Sequence, residues 1–377
     1  MPKNFDYAAT TPVDSYVLEQ MMPWFQKQFG NSVSNHQYGW EAESGVEKAR
    51  GQVRQLLNAL NYDIYFTSGA TESNNWVIQS MISKTLDIEK KPSIHIISSP
   101  TEHSSVLKTL KYFEKIGRAQ VSWVPADRFG QVQPEDLKKS IRPETKLISL
   151  MWANNEIGSL NPVDEILQLA RENQIYFHSD ATQALGKTPL DLEKTPVDLI
   201  SVASHKVYGP KGVGALLVRK KNPRVDLPPF MLGGSHESGQ RAGTLNVAGI
   251  VGFGAACELL SKNMVYEIES IKNLSQYLCE QIKQNFPLSE FNGHPTSKIP
   301  HVISVTFNGS QVPAMLMGVC VSKGSACNSG GESISPVLQS IGLSEKAAEQ
   351  TLRISLGRFT TKEDIDSLIE SLKKNIR

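Results

Sequence analysis

Two side chains that could do chemistry, Asp180 and Lys206, each follow a short apolar run that predicts a buried strand, at residues 175–178 and 199–202. They lie 26 positions apart, about one strand–helix–strand unit. Residues at the ends of parallel strands border the ligand crevice of such a sheet. A carboxylate for a ring nitrogen and a lysine for an aldehyde are the minimal pair for a pyridoxal 5'-phosphate (PLP) site. Each residue alone has a plainer interpretation, a capping aspartate and a solvated lysine.

The segment TSGATESNN (67–75) leaves a predicted strand through Ser-Gly and opens a predicted helix. Free N–H groups and small hydroxyl side chains at a helix start can hold a phosphate. Thr71 is the best hydroxyl donor in this segment. An ordinary helix N-cap is the alternative, but a phosphate site here would complete the pair formed by Asp180 and Lys206.

Cys327 lies in the run KGSACNSGGES, whose Gly and Ser content predicts an exposed loop. A thiol on such a loop can act as a nucleophile, whereas Cys257, Cys279 and Cys320 fit buried apolar positions better. None of the four cysteines forms a CxxC pair, so we expect no metal site and no disulfide framework. His103 could stack on a cofactor ring or move a proton, although a surface histidine is equally consistent with its position.

The chain that must position these groups has an ordinary composition. It contains 377 residues, of which 40% are hydrophobic and 20% charged, and its formal net charge is +1. This near balance argues against direct binding of nucleic acid. No apolar stretch is long enough to span a membrane, and the first residues carry no apolar signal core, so we expect a cytoplasmic protein.

Short apolar strands alternate with helical patterns between about residues 45 and 250, which predicts a largely parallel sheet covered by helices. A long helix without proline is predicted from residue 252 to about 286. A mixture of strands and helices follows. The last helix is clear, because Thr361 can cap it and Asp364 stands at the capping-box distance.

With these features taken together, the sequence resembles the NifS/IscS-type cysteine desulfurases, which belong to class V of the PLP-dependent aminotransferase superfamily. The resemblance covers nearly the whole chain, and its segments are specific because they occur together and in order. They are DYAATTPVD (6–14), FTSGATESNN (66–75), TEHSSVL (101–107), NNEIG (154–158), FHSDATQALGK (177–187), SHKVYGPKGVGAL (204–216), RAGTLNV (241–247), GSAC (324–327) and LRISLGRFT (352–360).

The resemblance implies an α/β fold, the fold type I of PLP-dependent transferases. A large PLP-binding domain (12–255) would hold a mostly parallel seven-stranded sheet. A smaller α+β domain (1–11 and 256–377) would carry the loop with the catalytic cysteine. The resemblance also implies a homodimer, in which Thr244 reaches the PLP phosphate of the partner subunit.

Roles for individual residues are implied as well. Lys206 would bind PLP covalently and move the substrate Cα proton, Asp180 would pair with the pyridinium nitrogen, and the fork of Arg353 would hold the substrate carboxylate. The implied catalytic residues are Cys327, Lys206 and His103. The implied cofactor-binding residues are Ala70, Thr71, His103, Asn155, Asp180, Gln183, Ser204, His205, Lys206 and Thr244. The implied substrate-binding residues are Asn155 and Arg353.

The implied reaction converts L-cysteine to L-alanine and passes the sulfur, as a persulfide on Cys327, to an acceptor protein. Iron–sulfur cluster assembly, tRNA thiolation and DNA phosphorothioation are the candidate pathways, and the sequence does not choose among them. Two alternatives are another class V reaction, such as selenocysteine lysis or amino transfer, and a non-catalytic scaffold with the same fold.

Three departures from the family pattern bear on these expectations. Ala203 stands where the family usually has Ser or Thr, so we expect the neighbouring Ser204 to supply a hydroxyl to the phosphate. In GGSHESGQR (233–241) a Ser replaces a family Gly and another replaces an Arg. The sequence stops at Arg377, so we expect the scaffold-docking segment of IscS proper to be missing.

Overall fold

The computed structural model describes residues 2–221, 224–313, 315–323 and 335–376. Strands in these residues are β1 (Lys3–Asn4), β2 (Tyr62–Thr67), β3 (His95–Ser98), β4 (Gln120–Trp123), β5 (Thr145–Ser149), β6 (Tyr176–Asp180), β7 (Leu199–Ala203), β8 (Gly214–Arg219), β9 (Ser289–Asn292), β10 (Val302–Phe307), β11 (Val319–Cys320) and β12 (Thr351–Ser355). Helices are α1 (Ser15–Met21), α2 (Pro23–Gln26), α3 (Gln37–Leu56), α4 (Ala70–Ser83), α5 (Ser104–Lys115), α6 (Pro134–Ser140), α7 (Val163–Glu172), α8 (Val247–Asn285), α9 (Pro336–Ser340), α10 (Glu345–Glu349) and α11 (Lys362–Asn375).

A seven-stranded sheet with the order β2-β8-β7-β6-β5-β3-β4 forms the centre of the molecule. Strand β8 runs antiparallel to its neighbours β2 and β7, and every other pair is parallel. Every residue of β7 and β8 is buried, as expected for strands covered on both faces. The predicted α/β class with a mostly parallel seven-stranded sheet is confirmed.

A second, antiparallel sheet has the order β12-β10-β9. Its buried face packs with the end of α8 and with α11 in a separate apolar cluster, to which Val305, Leu278 and Leu368 belong. The start of α11 has the predicted capping box. The N–H of Asp364 donates to the Thr361 hydroxyl over 3.2 Å, and the N–H of Thr361 donates to the Asp364 carboxylate over 3.1 Å.

Helix α8 connects the two sheets without a break over 39 residues. Its first half packs closely on α3, where a Cβ at Gly254 would lie only 2.6 Å from the Cα of Ala49. Its second half covers the smaller sheet. The expected domain boundary after residue 255 falls inside this helix, so the division into two domains stays a prediction.

The apolar patterns predict helices from Glu43 and from Trp76, and both helices start elsewhere in the structure. Helix α3 begins at Gln37 and α4 at Ala70, both earlier than the predicted starts at residues 43 and 76. In both cases the first turns are polar or contain glycine, so local periodicity gave no signal there. No helix in the described part of the chain combines the length and the apolar character needed to cross a membrane.

Candidate active site

A cavity of about 450 Å³ lies where the strands of the central sheet end. Most of the residues implied by the family resemblance line it: Ala70, Thr71, His103, Asn155, Asp180, Gln183, His205, Lys206 and Arg353. These side chains come from segments that are far apart in the sequence. The fold therefore brings together what the sequence predicted as one site.

The carboxylate and the lysine reach the cavity from neighbouring strands. Asp180 is the last residue of β6, and Lys206 ends the single 3-10 turn that follows β7. Because β6 and β7 pair in parallel, both chain ends open on the same side of the sheet. The Lys206 ammonium donates to the carbonyl oxygens of Ala8 and Ala9 over 2.6 and 2.7 Å.

The Asp180 carboxylate is 6% exposed and is held by two donors. The Asn74 side-chain amide donates to it over 2.8 Å, and the N–H of Thr182 donates over 3.0 Å. The Thr182 hydroxyl also lines the cavity, is buried and has no hydrogen bond among the described residues. This end of the cavity thus combines an anchored carboxylate with an unused hydroxyl.

The start of α4 forms a backbone cradle at another wall. Gly69, with φ +152°, precedes the helix, and its N-terminal N–H groups at Ala70 and Thr71 border the cavity. The adjacent strand β8 can come this close only because residue 214 is glycine. A Cβ at Gly214 would lie 2.8 Å from the Cα of Gly69.

His205 lies on the same wall and is neutral at pH 7. Burial first, and then the positive charges of Lys206 and Lys211, lower the pKa of His205 to about 4. Its Nδ1 lies 3.1 Å from the Thr10 hydroxyl. When that hydroxyl donates to Nδ1, the other ring nitrogen is left as an N–H donor, which suits an anion.

Ser204 is the one predicted phosphate ligand of this turn that does not reach the cavity. Ala203 and His205 line the cavity, whereas Ser204 does not and is fully buried. Its Oγ would lie 2.0 Å from a Cβ at Gly209, and it has no hydrogen-bond partner among the described residues. The expected replacement of the missing hydroxyl by Ser204 therefore has no support in the geometry.

Gln183 is oriented by a lysine that sequence analysis did not single out. The buried Lys187 ammonium donates to the Gln183 side-chain oxygen over 2.5 Å, and the Gln183 amide donates to the Ala8 carbonyl over 2.9 Å. Burial first, and then the charges of Lys206 and Arg353, hold the pKa of Lys187 well below its usual value. Lys187 thus fixes which end of the Gln183 amide can donate.

Arg353 of β12 supplies the cation at the opposite end of the cavity. Its guanidinium donates to Asp6 over 2.7 Å and to the Asn155 carbonyl over 3.1 Å. Its Nε is buried and has no partner in the part of the chain that the structure describes. The guanidinium therefore has hydrogen-bonding capacity beyond its contacts with Asp6 and Asn155.

Cys327 lies outside the described residues. Described residues near both ends of its segment can be placed, namely Ser322 before it and Ser335 after it. Ser322 pairs with Arg353 through two backbone hydrogen bonds of 2.7 and 3.1 Å. The Ser335 hydroxyl donates over 2.5 Å to Glu156, which is buried next to Asn155 in the sequence. Burial raises the pKa of the Glu156 carboxyl.

Thr244 does not line the cavity of its own chain and is exposed. The segment that carries it is tied to α4, because Arg241 donates two hydrogen bonds to Glu72 over 2.7 and 3.1 Å. Burial opposes ionisation of Glu72, but the hydrogen bonds from Arg241 and Ser68 lower the pKa of this carboxyl. The segment is thus held firmly at the phosphate-cradle helix.

The residues present fit pyridoxal phosphate. The cradle before α4 suits a phosphate, the anchored Asp180 suits a ring nitrogen, and Lys206 lies in the same cavity. Sequence reasoning missed Asp6, Thr10, Asn74, Ser105 and Lys187 as members of the site. All five lie inside the segments that resemble the family, and this membership is the signal that could have indicated them. Their contacts could not be predicted because they join distant parts of the chain.

Comparison with known proteins agrees with this geometry. The family model described as "Aminotransferase class-V" matches residues 3–368, so the chain belongs to the aminotransferase class-V family. The cysteine desulfurase IscS of Anaeromyxobacter dehalogenans is 42% identical over 381 residues, covering 100% of this chain and 93% of that protein. The human cysteine desulfurase is 40% identical over 380 residues, covering 100% of this chain and 82% of that protein.

A solved structure described as "SspA in complex with cysteine" is also similar. It has a TM-score of 0.83 and 34% identity, and covers 95% of this chain and 100% of that one. The resemblance to NifS/IscS-type cysteine desulfurases is thus confirmed, as is the expected enzyme class.

Proposed function

We propose that this chain is a PLP-dependent cysteine desulfurase that converts L-cysteine to L-alanine and captures the sulfur on Cys327. The observation that carries the proposal is the convergence of Lys206, Asp180 and Arg353 on one cavity. A lysine, a ring-nitrogen acid and a carboxylate-binding arginine are the groups that a PLP enzyme needs for an amino-acid substrate.

The cofactor would be held by three sets of residues. The N–H groups at the start of α4 and the His205 ring would take the phosphate, Asp180 the ring nitrogen, and Gln183 the ring hydroxyl. When bound, PLP supplies an electron sink that weakens the bonds at the substrate's α and β carbons. Lys206 would hold the cofactor and then, as a free amine, move the proton at the substrate Cα.

The substrate would be positioned by Arg353. Asp6 and the Asn155 carbonyl hold the guanidinium, and Arg353, which lines the cavity, would receive the substrate carboxylate. Because Arg353 and Lys206 line the same cavity, a carboxylate held by Arg353 would keep the substrate beside Lys206. A rigid fork of this kind distinguishes amino-acid carboxylates from simple amines.

Cys327 would then take the sulfur. Its thiolate forms an S–S bond with the substrate sulfur, the substrate C–S bond breaks, and the electron pair stays on the three-carbon product. That product gains the protons needed to leave as alanine, and Cys327 is left as a persulfide. Ser322, shortly before the segment that carries Cys327, pairs with Arg353, which lines the cavity, and this supports the proposal.

Alanine and sulfide formation in matched cysteine variants tests the proposal. Cys327→Ser should retain the PLP absorption band but lose alanine formation. Cys320→Ser is the control, because Cys320 is the exposed described cysteine and lies on β11. Alanine formation that persists in Cys327→Ser would contradict capture on Cys327 and favour a lyase reaction of the selenocysteine-lysis type. A 2-oxo acid formed in place of alanine would favour amino transfer, and a chain with no PLP band would favour a non-catalytic scaffold.

The active protein would be a homodimer with shared sites. Thr244 is exposed, and the adjacent Leu245 lines a surface cleft of about 870 Å³ together with the exposed Trp40. Most of the cleft lining is polar or charged, and the exposed Trp40 and Val33 are the large apolar side chains that an interface would cover here. Thr244 of one subunit would reach the phosphate held by the other.

Mixed dimers test this sharing. Lys206→Ala and Thr244→Asp homodimers should both be inactive. Because one site in each mixed dimer keeps both native residues, random co-assembly should recover about a quarter of wild-type activity. Failure to recover activity in a verified mixed dimer would contradict shared sites. The sulfur acceptor, its pathway and the cytoplasmic location stay predictions.

A further inference from the structure

Four polar side chains form a continuous hydrogen-bonded chain beside the cavity. The Asn74 amide nitrogen donates to the Asp180 carboxylate and to the Ser105 hydroxyl oxygen, each over 2.8 Å. The Ser105 hydroxyl in turn lies 2.8 Å from Nδ1 of His103. Asn74, Ser105 and Asp180 are all less than a tenth exposed, so water does not compete for these bonds.

The donor and acceptor of each hydrogen bond in this series can be assigned by starting from Asp180. An ionised Asp180 only accepts, so the Asn74 amide must point its NH₂ group toward the carboxylate. The second N–H of that group then faces the Ser105 oxygen. With its lone pair engaged there, Ser105 has its own proton left to donate to His103.

A second donor points at the same ring nitrogen. The backbone N–H of Ser105 lies 3.2 Å from Nδ1 of His103, at the first turn of α5, where His103 is the N-cap. Two donors therefore converge on Nδ1. A proton on that nitrogen would face the backbone N–H and leave the hydroxyl hydrogen without an acceptor.

We propose that Asn74 and Ser105 are positioning residues that hold His103 in the Nε2–H tautomer, with Asp180 as the anchor of the chain. In this tautomer Nε2 carries the proton, so proton transfer by His103 would proceed through Nε2. His103 itself lines the cavity. Only the catalytic consequence of this inference depends on the proposed function, and the tautomer itself does not.

Two adjacent serines allow a matched test. Ser104 and Ser105 open the same helix, but only the Ser105 hydroxyl takes part in a side-chain hydrogen bond among the described residues. Ser105→Ala removes the donor to His103 and cuts the link to Asn74. Ser104→Ala makes the same chemical change one position away, at the same helix start.

The tautomer is read from imidazole nitrogen chemical shifts in ¹⁵N-histidine-labelled holoenzyme without L-cysteine, with His103 assigned by comparison with His103→Gln. Wild type and Ser104→Ala should show the Nε2–H pattern, and Ser105→Ala a mixture of tautomers. Wild-type shifts in Ser105→Ala, or an Nδ1–H pattern in the wild type, would overturn the inference.

Kinetics with L-cysteine provide the second readout. Loss of one buried hydrogen bond to the histidine should lower kcat of Ser105→Ala about tenfold, with KM changed less than about twofold, and leave Ser104→Ala unchanged. An unchanged kcat with an altered tautomer would refute the positioning role. A wild-type enzyme that forms no alanine would count against the proposed function, while the shifts would still decide the tautomer.

Discussion

The two ends of the cavity are built in different ways. At the ring end, Asp180 ends β6, while Asn74 and His103 lie in the connections that follow other strands of the same sheet. Buried hydrogen bonds of 2.8 Å link these residues through Ser105. At the carboxylate end, Arg353 comes from the smaller sheet and Asp6 from the start of the chain. The ring end is therefore organised within one sheet, whereas the carboxylate end depends on how two parts of the molecule pack.

This difference suggests a division of labour. A site for a resident cofactor benefits from rigid, buried partners, because it must hold one molecule in one orientation. A site for a substrate and a sulfur-carrying cysteine must also open and close. Changes at the ring end should thus act on kcat and cofactor binding, and changes at the carboxylate end on KM.

The largest effect is expected at the ring end for Lys206→Ala. Without the amine, covalent cofactor attachment and Cα proton transfer are both lost, so alanine formation should fall at least about 10³-fold. Absorbance spectra and alanine assays measure the two losses. Lys220→Ala, at the surface after β8, is the control. Near wild-type turnover in Lys206→Ala would contradict the assigned role.

Arg353→Lys probes the carboxylate end while keeping its charge. The lysine cannot reproduce the fork, so KM for L-cysteine should rise about 10- to 100-fold, with a smaller change in kcat. Steady-state kinetics measure the split. Arg358→Lys is a control at a neighbouring arginine, which pairs with Asp14 and Glu267. A fall in kcat at constant KM would contradict the proposal that the carboxylate end acts on KM and the ring end on kcat.

The sheet beneath the ring end should also be sensitive to acid. His178 of β6 lies between the hydroxyls of Ser149 and Ser201, and burial lowers its pKa from 6.5 to about 4. Below pH 6.5, His178 is protonated in the unfolded chain but stays neutral in the folded chain. The free energy of unfolding therefore decreases as the pH drops toward 4. The loss from this one group between pH 7 and pH 5 is about 2 kcal/mol.

Urea unfolding at pH 7 and pH 5 measures this effect. His178→Asn should be less stable at pH 7 but should lose less stability on acidification than the wild type. His36→Asn, at an exposed histidine, should keep the wild-type pH dependence. Equal acid sensitivity in His178→Asn and the wild type would show that His178 is not the cause.

The smallest effect is expected far from the cavity, in the smaller sheet region. Thr361→Ala removes the cap of α11 and should cost about 1 kcal/mol of stability without changing kcat or KM. Thermal unfolding and kinetics test both halves of this statement. Ser367→Ala is the control, because the exposed Ser367 hydroxyl only donates a hydrogen bond to the Glu363 carbonyl of the same helix. A kinetic change in Thr361→Ala would mean that the two regions are more tightly coupled than described.

Local signals in the sequence predicted much of this structure. The cap formed by Thr361 and Asp364 spans three positions, and the buried strands before Asp180 and Lys206 are short apolar runs, so both could be read without knowledge of the fold. The segments shared with the family predicted which residues form the site together. The first kind of signal lies within a few residues, and the second comes from many segments together. Neither kind requires knowledge of a particular long-range contact.

The errors and omissions have physical reasons. Ser204 was expected to replace the hydroxyl missing at Ala203, but the chain turns at Ser204 into a single 3-10 turn, in which Ser204 is fully buried while His205 and Lys206 line the cavity. Asn74 was missed because its partner Asp180 is 106 positions away. No periodicity within one segment can indicate a contact between two segments.

The capture of sulfur by Cys327 is the central claim, and single-turnover mass spectrometry tests it most directly. Purified holoenzyme is mixed with one equivalent of L-cysteine, and its peptides are analysed with and without reductant. The proposal predicts one added sulfur atom on the peptide that contains Cys327, removed by reductant and matched by one alanine. A bound PLP spectrum and alanine formation without added sulfur on Cys327 would contradict it.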